Sequence, residues 1–496
     1  MKSFPLGSRP RLEDLALIRA GALKAFLPAL ARNKMLRSRR VLLRVAAAET
    51  VYGINTGFGE LANVRIPFRQ SRALQRNVVL SHACGVGPLL DASEAAAVLF
   101  LRANELSKGY SGVRPKLVEA MAALFNRGYA PAIPSRGSVG ASGDLAPLAH
   151  AACVLLGEGR VSLRGRFMPA GRALKACGLK PLELDIKEGL SLVNGTQAMQ
   201  AVGGLALLDA ARVLDAATLA AVMSVEALKG SHRPFIAALN RLKPHPGQVR
   251  IARACEILMK DSGIRASHEV GDRRVQDAYS LRCIPQVHGA AHDALSFARR
   301  TVETEMASVT DNPVVIGGTV VSGGNFHGQA LSMAFDQAAI ALTVLSGIAE
   351  RRIFHLVSDH TGILPPFLAR HPGLESGWML AQVTAAALAS ENKTLAHPAS
   401  ADSIPTSGHK EDFVSMGMWA ALKLKQVAQN AATIAALELL AAARGVEFHA
   451  PVKPGRGVQE GLSRLRGLVP RKEGDRSLSA DIETVKKAVL DNFFAI

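Results

Sequence analysis

The run Gly140-Ala141-Ser142-Gly143-Asp144 is the stretch around which this 496-residue chain is organised. Glycine adopts left-handed backbone conformations without the steric penalty of a Cβ atom, so the main chain can bend back sharply here. Such a bend can bring the Gly143 nitrogen onto the carbonyl carbon of Ala141. Cyclisation followed by loss of water, including the Ser142 hydroxyl, would leave an electrophilic methylidene ring. The alternative interpretation is an ordinary Gly/Ser turn that caps a helix beginning near the end of the run.

Five motifs, of which this run belongs to the second, follow one another along the chain. They are Tyr52-Gly53-Ile54-Asn55-Thr56-Gly57-Phe58-Gly59, Gly137–Leu148, Asn194-Gly195-Thr196-Gln197, Gln276-Asp277-Ala278-Tyr279-Ser280-Leu281-Arg282 and Gly324-Asn325-Phe326-His327. Together they resemble the aromatic amino acid ammonia-lyases of the histidine, phenylalanine and tyrosine types. These enzymes make 4-methylideneimidazol-5-one (MIO) from their own Ala-Ser-Gly. The resemblance covers nearly the whole chain, and five ordered motifs are far more specific than any one of them.

The periodicity of the sequence predicts a mainly α-helical protein. Residues 1–190 are the more irregular part, with Gly/Pro punctuation and short strand-like stretches such as Arg160–Leu163. From about Thr196 onward, long helical patterns dominate, and their wide apolar coverage indicates a central bundle with burial on several sides. The long patterns are Thr196–Leu228, Gly289–Val309, Gly328–Val357 and Glu411–Ala443.

The resemblance implies the ammonia-lyase (fumarase/aspartase-like) architecture, and we predict two domains on that basis. Residues 1–190 would form an N-terminal domain that carries the tyrosine loop and the MIO loop. Residues 191–496 would form the central and C-terminal helical bundle and the oligomerisation core. Family members of this length form a homotetramer whose active sites draw residues from more than one subunit.

The reaction that the resemblance implies is loss of ammonia from an aromatic L-amino acid, with removal of a β-proton. An amine is a poor leaving group and the β-proton is barely acidic, so an electrophile, a base and a carboxylate anchor are needed. MIO formed autocatalytically from Ala141-Ser142-Gly143 would be the electrophile, with no external cofactor. Tyr52 is the expected base, and Asp144 and Tyr279 complete the expected catalytic set. A free phenol has a pKa of about 10, so Tyr52 requires nearby positive charge or hydrogen-bond donors.

The resemblance also assigns residues to substrate binding. Arg282 is expected to clamp the carboxylate, because its planar fork suits bidentate pairing. Gln276 is expected to line the same cavity, although local packing or surface polarity would be the simpler interpretation without the resemblance. Asn194 is expected to hydrogen-bond the prosthetic group or the substrate, and Phe326 to pack against the ring.

Two positions favour L-histidine as the substrate and trans-urocanate as the product. Ser81-His82 occupies the position that separates the subfamilies, where the histidine type shows Ser-His. Glu411 matches the acidic residue that histidine-type enzymes place near the imidazole, and a carboxylate can pair with an imidazole N–H. Both positions are therefore expected to contact the substrate side chain.

Other positions depart from the histidine type. The sequence before Glu411 is His409-Lys410 rather than Asn-Gln, and Lys410 would add a cation near the ring pocket. Gly328-Gln329 stands where Ala-Glu is usual. The alternatives are therefore a tyrosine or phenylalanine ammonia-lyase that forms coumarate or cinnamate, a MIO-dependent aminomutase, and a catalytically inactive structural homologue. The intact Ala-Ser-Gly, Tyr52 and Arg282 argue against the last.

The amino-acid composition indicates what kind of core the protein has and which partners its charge favours. Hydrophobic residues make up 48% and aromatic residues only 5%, which predicts an aliphatic, Ala-rich core of closely packed helices. The net charge is +18, with the densest basic run between Arg32 and Arg44. Because no aromatic residues interleave with these cations and no binding motif accompanies them, a solvated basic face is favoured over nucleic-acid binding.

The remaining signals predict a cytoplasmic protein without a metal or a membrane span. The five cysteines are scattered and form no Cys-x-x-Cys, which is typical of a reduced compartment. The N-terminus MKSFPLGSRPRLEDL has no apolar signal segment. The apolar stretch Ala198–Met223 is interrupted by charged residues. His288 and His292 are one helical turn apart but lack the glutamate of a zinc motif, so helix histidines are favoured over ligands.

Overall fold

The chain folds mainly into α-helices, as the sequence predicts. The computed structural model describes residues 1–272, 274–358 and 362–496. The α-helices in these ranges are Leu12–Arg19, Ala29–Ala48, Ser71–His82, Ala92–Leu106, Pro115–Asn126, Leu145–Cys153, Ala170–Ala176, Glu188–Val193, Gln197–Ala227, Ala237–Arg241, Pro246–Leu258, Gly263–Ala266, Tyr279–Arg282, Ile284–Met306, Gln329–Val357, Met379–Leu395, Gly417–Glu447, Arg456–Leu468 and Ser479–Leu490. Short 3₁₀ turns occupy Gly59–Asn63, Phe68–Gln70, Val154–Leu156, Arg233–Phe235, Pro366–Leu368 and Ser407–His409.

Short strands form small sheets, most of them in the N-terminal part. Lys2–Pro5 pairs in parallel with Leu23–Phe26. The antiparallel pairs are Val86–Leu89 with Pro134–Arg136, Ala130–Pro131 with Arg160–Leu163, Arg160–Leu163 with Arg166–Pro169, and Val314–Ile316 with Thr319–Val321. The more irregular N-terminal part is therefore confirmed, with a strand at the predicted residues 160–163.

The four long helical patterns are confirmed, with shifts at their ends. The helices Gln197–Ala227 and Gln329–Val357 match the predicted ranges within one residue at each end. The predicted Gly289–Val309 begins earlier, at Ile284. The predicted Glu411–Ala443 is wrong at its start, because the helix begins at Gly417. Met416 has a left-handed φ of 54°, which a helix does not allow, so Glu411 lies in the preceding loop.

Packing groups the chain into two compact units. One contains Met1–Leu205, Arg299–Asp336 and Pro398–Leu422, and the other contains Ala206–Ala298, Gln337–His397 and Lys423–Ile496. The first unit holds the Ala-Ser-Gly run, and the second holds the Gln276–Arg282 motif. Four of the five unit boundaries fall within the four long helices, so the units group residues by packing and leave the domain boundary at residue 190 as a prediction.

One helix within the described ranges is long and apolar enough to cross a membrane by length and composition alone. It is Gln329–Val357, and most of its apolar window is buried inside the molecule. The core helix of a soluble protein passes the same test, so this helix is weak evidence for a span.

Candidate active site

Gly143 joins the Ala-Ser-Gly run to the Asn194–Gln197 motif by close backbone contact. Gly143 and Gly195 form a parallel bridge, and the next amide, Asp144 N, donates to Gly195 O at 2.7 Å. Gly143 has a φ of 73°, and a Cβ added to it would lie 2.1 Å from Gly195 O. Only glycine fits at this position, because both the backbone conformation and the space exclude a side chain.

Gly140, at the other end of the run, is held by residues distant in sequence. Ser415 Oγ donates to Gly140 O at 2.9 Å, and Gly328 N donates to the same carbonyl at 3.4 Å. A Cβ on Gly328 would lie 2.6 Å from Met199 Sδ and 2.9 Å from Ser415 Oγ. Gly328, which departs from the histidine-type pattern, therefore has a packing reason in this chain.

Asp144 anchors the run to the long helix Gln197–Ala227, through Met199. Its carboxylate is fully buried, with Oδ2 accepting from Met199 N and Oδ1 from Ser138 Oγ, each at 2.8 Å. Burial raises the pKa of this carboxyl to about 6, although both hydrogen bonds act in the opposite direction. The helix Leu145–Cys153 begins directly after it, but the Asp144 side chain does not cap that helix. The predicted role in proton transfer stays a prediction.

A cavity of about 590 Å³ opens beside the Ala-Ser-Gly run. Six of the predicted site residues line it within the described part of the chain. These are Tyr52, Ser81, His82, Ser142, Asn194 and Glu411. The rest of the wall is mainly apolar, with Phe58, Leu61, Val64, Ile66, Leu74, Val78, Leu145, Leu190 and Val193. An apolar cavity with a few convergent polar groups is typical of a small-molecule site.

The Glu411 carboxylate is fixed by two donors. Ser142 Oγ donates to Glu411 Oε1 at 2.7 Å, and Thr406 Oγ1 donates to Oε2 at 2.8 Å. Thr406 N also donates to Glu411 O at 2.8 Å, which closes the turn between the two residues. Thr406 could not be predicted from the sequence, because its contact depends on a turn with left-handed residues at Ser407 and Gly408.

Tyr52 reaches the cavity from a glycine-rich loop. The Gly59 amide donates to the phenol oxygen at 3.1 Å, and the ring meets Phe58 edge-to-face with 6.4 Å between ring centroids. Gly53, with a φ of 65°, leaves no room for a Cβ, which would lie 2.5 Å from Leu190 Cδ2. Gln75 Nε2 donates to Gly53 O at 3.1 Å and holds the start of the loop.

His82 ends the helix Ser71–His82 at the cavity wall. Its Nδ1 lies 3.1 Å from Ser81 Oγ. Burial lowers the pKa of the imidazole, and the bond to the Val78 carbonyl and the charge of Glu411 only partly offset this effect. His82 is therefore neutral at pH 7, so one ring nitrogen can donate and the other can accept.

Asn194 lines the cavity and has a side-chain oxygen that accepts no hydrogen bond from the described residues. The residue is 3% exposed, and its Nδ2 donates to Asn312 O at 3.0 Å. Its Oδ1 has no hydrogen-bond partner among the described residues. Buried polar atoms are normally paired, so this oxygen fits an N–H or O–H donor from a bound group. Together with the bent run at Gly143 and the hydroxyl of Ser142, the site fits MIO formed from these residues.

The other predicted site residues are placed differently. Lys410 is exposed, and Phe326 is half-buried in the loop before the helix Gln329–Val357. Gln276, Tyr279 and Arg282 belong to the second compact unit. Gln276 is exposed, and Tyr279 is 70% exposed.

Arg282 and Tyr279 form a local pair in the second unit. The Arg282 guanidinium stacks on the Tyr279 ring at 4.6 Å from the centroid. Arg282 Nε is buried and has no hydrogen-bond partner among the described residues. Their roles, and those of the six cavity residues, stay predictions.

No metal cluster of three or more ligating side chains occurs within the described residues. His288, one of the two histidines considered for zinc, is fully buried, and its Nδ1 lies 3.0 Å from Thr218 Oγ1. Burial lowers its pKa well below the usual value, so it is a neutral histidine packed inside its unit.

The chain is similar over nearly its whole length to proteins of known family. The profile of the family described as aromatic amino acid lyase matches residues 11–467. A histidine ammonia-lyase of Myxococcus xanthus (strain DK1622) is 50% identical over 486 residues, covering 97% of this chain and 96% of that protein. A histidine ammonia-lyase of Gloeobacter violaceus (strain ATCC 29082 / PCC 7421) is 48% identical over 484 residues, covering 97% and 94%.

Solved structures show the same similarity. Histidine ammonia-lyase from Trypanosoma cruzi superposes with a TM-score of 0.92 at 38% identity, covering 100% of this chain and 94% of that one. Tyrosine aminomutase from Streptomyces globisporus superposes with a TM-score of 0.93 at 37% identity, covering 99% and 98%. The fold is therefore shared with proteins whose names give different reactions, so the fold alone does not specify the reaction.

Proposed function

Since the chain belongs to the aromatic amino acid lyase family and is therefore a carbon–nitrogen lyase, we propose that it converts L-histidine to trans-urocanate and ammonia. The observation that carries this proposal is that hydrogen bonds hold the Glu411 carboxylate in place in the cavity that Ser142 also lines. Neutral His82 lines the same cavity. A carboxylate held by two donors can still accept an N–H from a substrate imidazole on a free lone pair. The high identity to histidine ammonia-lyases also supports this substrate.

MIO formed from Ala141-Ser142-Gly143 supplies an electrophile that makes ammonia a better leaving group. In the proposed mechanism Tyr52 removes the β-proton, and the Gly59 amide holds its phenol oxygen towards the cavity. Asn194 Oδ1 accepts an N–H of the substrate amine. Arg282 pairs with the substrate carboxylate, as the planar fork of its guanidinium allows.

Two of the departures from the histidine-type sequence, Lys410 and Gly328, do not require another substrate. Lys410 is exposed, so its charge is screened by solvent rather than imposed on the ring pocket. Gly328 packs closely, since an added Cβ would lie 2.6 Å from Met199 Sδ and 2.9 Å from Ser415 Oγ. Both positions therefore leave the proposal of L-histidine intact.

We further propose a homotetramer with shared active sites, located in the cytoplasm and without a nucleic-acid or membrane partner. Exposed apolar side chains on two long helices support the assembly. They are Met333, Ile340 and Val344 on Gln329–Val357, and Leu380 and Val383 on Met379–Leu395. Monomeric proteins rarely leave such faces in water.

The function is tested by incubating the purified enzyme separately with L-histidine, L-tyrosine and L-phenylalanine. Ultraviolet absorbance follows the conjugated acid, and chromatography follows any β-amino acid that an aminomutase would form. Urocanate from L-histidine alone is expected, and the Ser142→Ala variant should form none. Coumarate, cinnamate or a β-amino acid as the main product would contradict the proposal. Unchanged activity of the Ser142→Ala variant would contradict the role of MIO.

A further inference from the structure

The Ser142 hydroxyl donates to the Glu411 carboxylate, with 2.7 Å between Oγ and Oε1. Binding of a substrate imidazole gives no reason for this contact, since the hydroxyl must be lost before the enzyme is active. We propose that Glu411 has an earlier catalytic role, in which it donates the proton with which the Ser142 hydroxyl leaves during ring formation. The inference rests on the proposed function only in requiring that Ala141-Ser142-Gly143 be converted.

The surroundings of Glu411 orient it for this step. Thr406 Oγ1 donates a hydrogen bond to Glu411 Oε2, which leaves Oε1 directed at Ser142. The backbone bridge between Thr406 and Glu411 fixes the turn that carries the carboxylate. Thr406 is thus a positioning residue, and Glu411 is the group in contact with a reacting atom.

Asp144 is less suited to this role. Both of its oxygens accept hydrogen bonds, from Met199 N and from Ser138 Oγ, in a fully buried environment. Glu60 is the other carboxylate that lines the cavity within the described residues, but the hydrogen bond of Ser142 goes to Glu411. Loop anchoring and proton donation are therefore divided between two carboxylates.

The step balances as the loss of one water molecule. It follows attack of the Gly143 nitrogen on the Ala141 carbonyl carbon and loss of a first water. The Ser142 Cα–H bond then breaks, its proton passes to solvent, and its electron pair forms the Cα–Cβ double bond. The Glu411 carboxylate first takes a proton from solvent on Oε1, and it gives that proton to Oγ as the Cβ–Oγ bond breaks and water leaves. Glu411 thereby returns to its carboxylate form.

The test follows ring formation by mass, independently of enzyme activity. The full chain is synthesised in a cell-free system with a short isotope pulse, and samples are digested with trypsin during the chase. The tryptic peptide Gly137–Arg160 contains the run. The wild type should lose two waters from this peptide. The Glu411→Gln variant keeps an acceptor for Ser142 but has no acidic proton, so a peptide lacking one water should accumulate. General acids contribute on the order of 10²-fold or more, so the second loss should slow by about that factor.

Control variants separate proton donation from damage to the cavity. Glu60→Gln makes the same change at the other carboxylate that lines the cavity, which does not bond Ser142, and should lose both waters at the wild-type rate. Thr406→Val should slow the second loss by less than Glu411→Gln, and Thr406→Ser, which restores the hydroxyl, should recover the wild-type rate.

Each outcome decides the inference. A wild-type rate in folded Glu411→Gln overturns it. If that variant does not fold, as judged by circular dichroism, equal rates in Thr406→Val and Thr406→Ser overturn it. A wild-type peptide that loses no water overturns both proposals. Normal loss of two waters without turnover of L-histidine contradicts only the proposed substrate.

Discussion

At the scale of single residues, Gly143 decides whether the Ala-Ser-Gly run can bend. Its φ of 73° and the 2.1 Å that a Cβ would leave to Gly195 O are independent reasons for glycine. At the same contact, the Asp144 amide donates a hydrogen bond to the Gly195 carbonyl. The geometry of the run therefore depends on a second glycine that lies far along the chain.

We expect Gly143→Ala to abolish ring formation and activity. The alanine must adopt a left-handed conformation, which costs about 1–2 kcal/mol, and its Cβ must also push Gly195 away. The matched control is Gly159→Ala, since Gly159 has a φ of 72° with nothing within 4 Å of an added Cβ. The control should lower the melting temperature slightly and keep full activity. Comparable loss of activity in both variants would contradict the argument from close contact.

Asp144 predicts a pH dependence of stability. Burial raises its pKa to about 6, from the usual 3.8 of an exposed carboxyl. The folded state therefore holds a proton that the unfolded chain releases, so this contribution is complete below about pH 4 and is lost as pH rises through 6. Its upper limit is about 3 kcal/mol, since one pKa unit corresponds to about 1.4 kcal/mol.

The measurement compares melting temperatures of the wild type and Asp144→Asn between pH 4 and 8. Asparagine cannot ionise, so the variant should gain stability relative to the wild type as pH rises through 6. Taking the difference cancels other titrating groups, including Asp215, whose pKa burial also raises to about 6. A difference that does not vary with pH would show that the Asp144 carboxyl is not perturbed by burial.

Much of the site could be predicted from local motifs. The Ala-Ser-Gly run, Tyr52 and Asn194 stand in short stretches with recognisable order, and the structure places all three around one cavity. Thr406 could not be predicted, because its contact depends on the left-handed turn that follows it. The gap between prediction and structure at this scale is thus set by turn conformations, which the residue types alone do not specify.

At the scale of elements, a buried ion pair sets the position of Asn194. Lys187 Nζ lies 2.6 Å from Asp311 Oδ2, and both side chains are fully buried. Lys187 stands at the start of the helix Glu188–Val193, which ends directly before Asn194. The residue after Asp311 is Asn312, whose carbonyl accepts from Asn194 Nδ2. The Lys187–Asp311 ion pair therefore links the helix that precedes Asn194 to the segment whose carbonyl accepts from Asn194 Nδ2.

We expect Lys187→Met to destabilise the protein by about 3–5 kcal/mol, because it leaves Asp311 buried without its nearest cation. Methionine keeps most of the side-chain volume, so the loss is electrostatic rather than a cavity. Thermal unfolding at one fixed protein concentration measures the effect. The double variant Lys187→Met/Asp311→Asn should recover much of the stability. A double variant no more stable than Lys187→Met would show that packing, not charge, accounts for the loss.

Long helices were predictable because their apolar period is a local property of the sequence. Their ends were not, as the start at Gly417 shows. The break there follows from the left-handed φ of Met416. It places Glu411 in a loop, where its carboxylate can face Ser142, rather than on a helix.

At the scale of the whole molecule, the exposed apolar faces of two long helices indicate assembly. Met333, Ile340 and Val344 lie seven and four residues apart, so they share one stripe of the helix Gln329–Val357. They are 58%, 41% and 51% exposed. Symmetric oligomers bury such faces between copies of the same chain.

We expect Val344→Glu combined with Val383→Glu to dissociate the proposed homotetramer, because each substitution places a charge on an apolar face that assembly would bury. Light scattering coupled to size exclusion should report a smaller species, and activity should fall with it if active sites are shared. The control is Leu242→Glu, at a residue that is 83% exposed and lies outside both helices. It should leave the mass and the activity unchanged. A double variant that remains a tetramer would assign the exposed faces to solvent, and a dissociated variant with full activity would confine each active site to one chain.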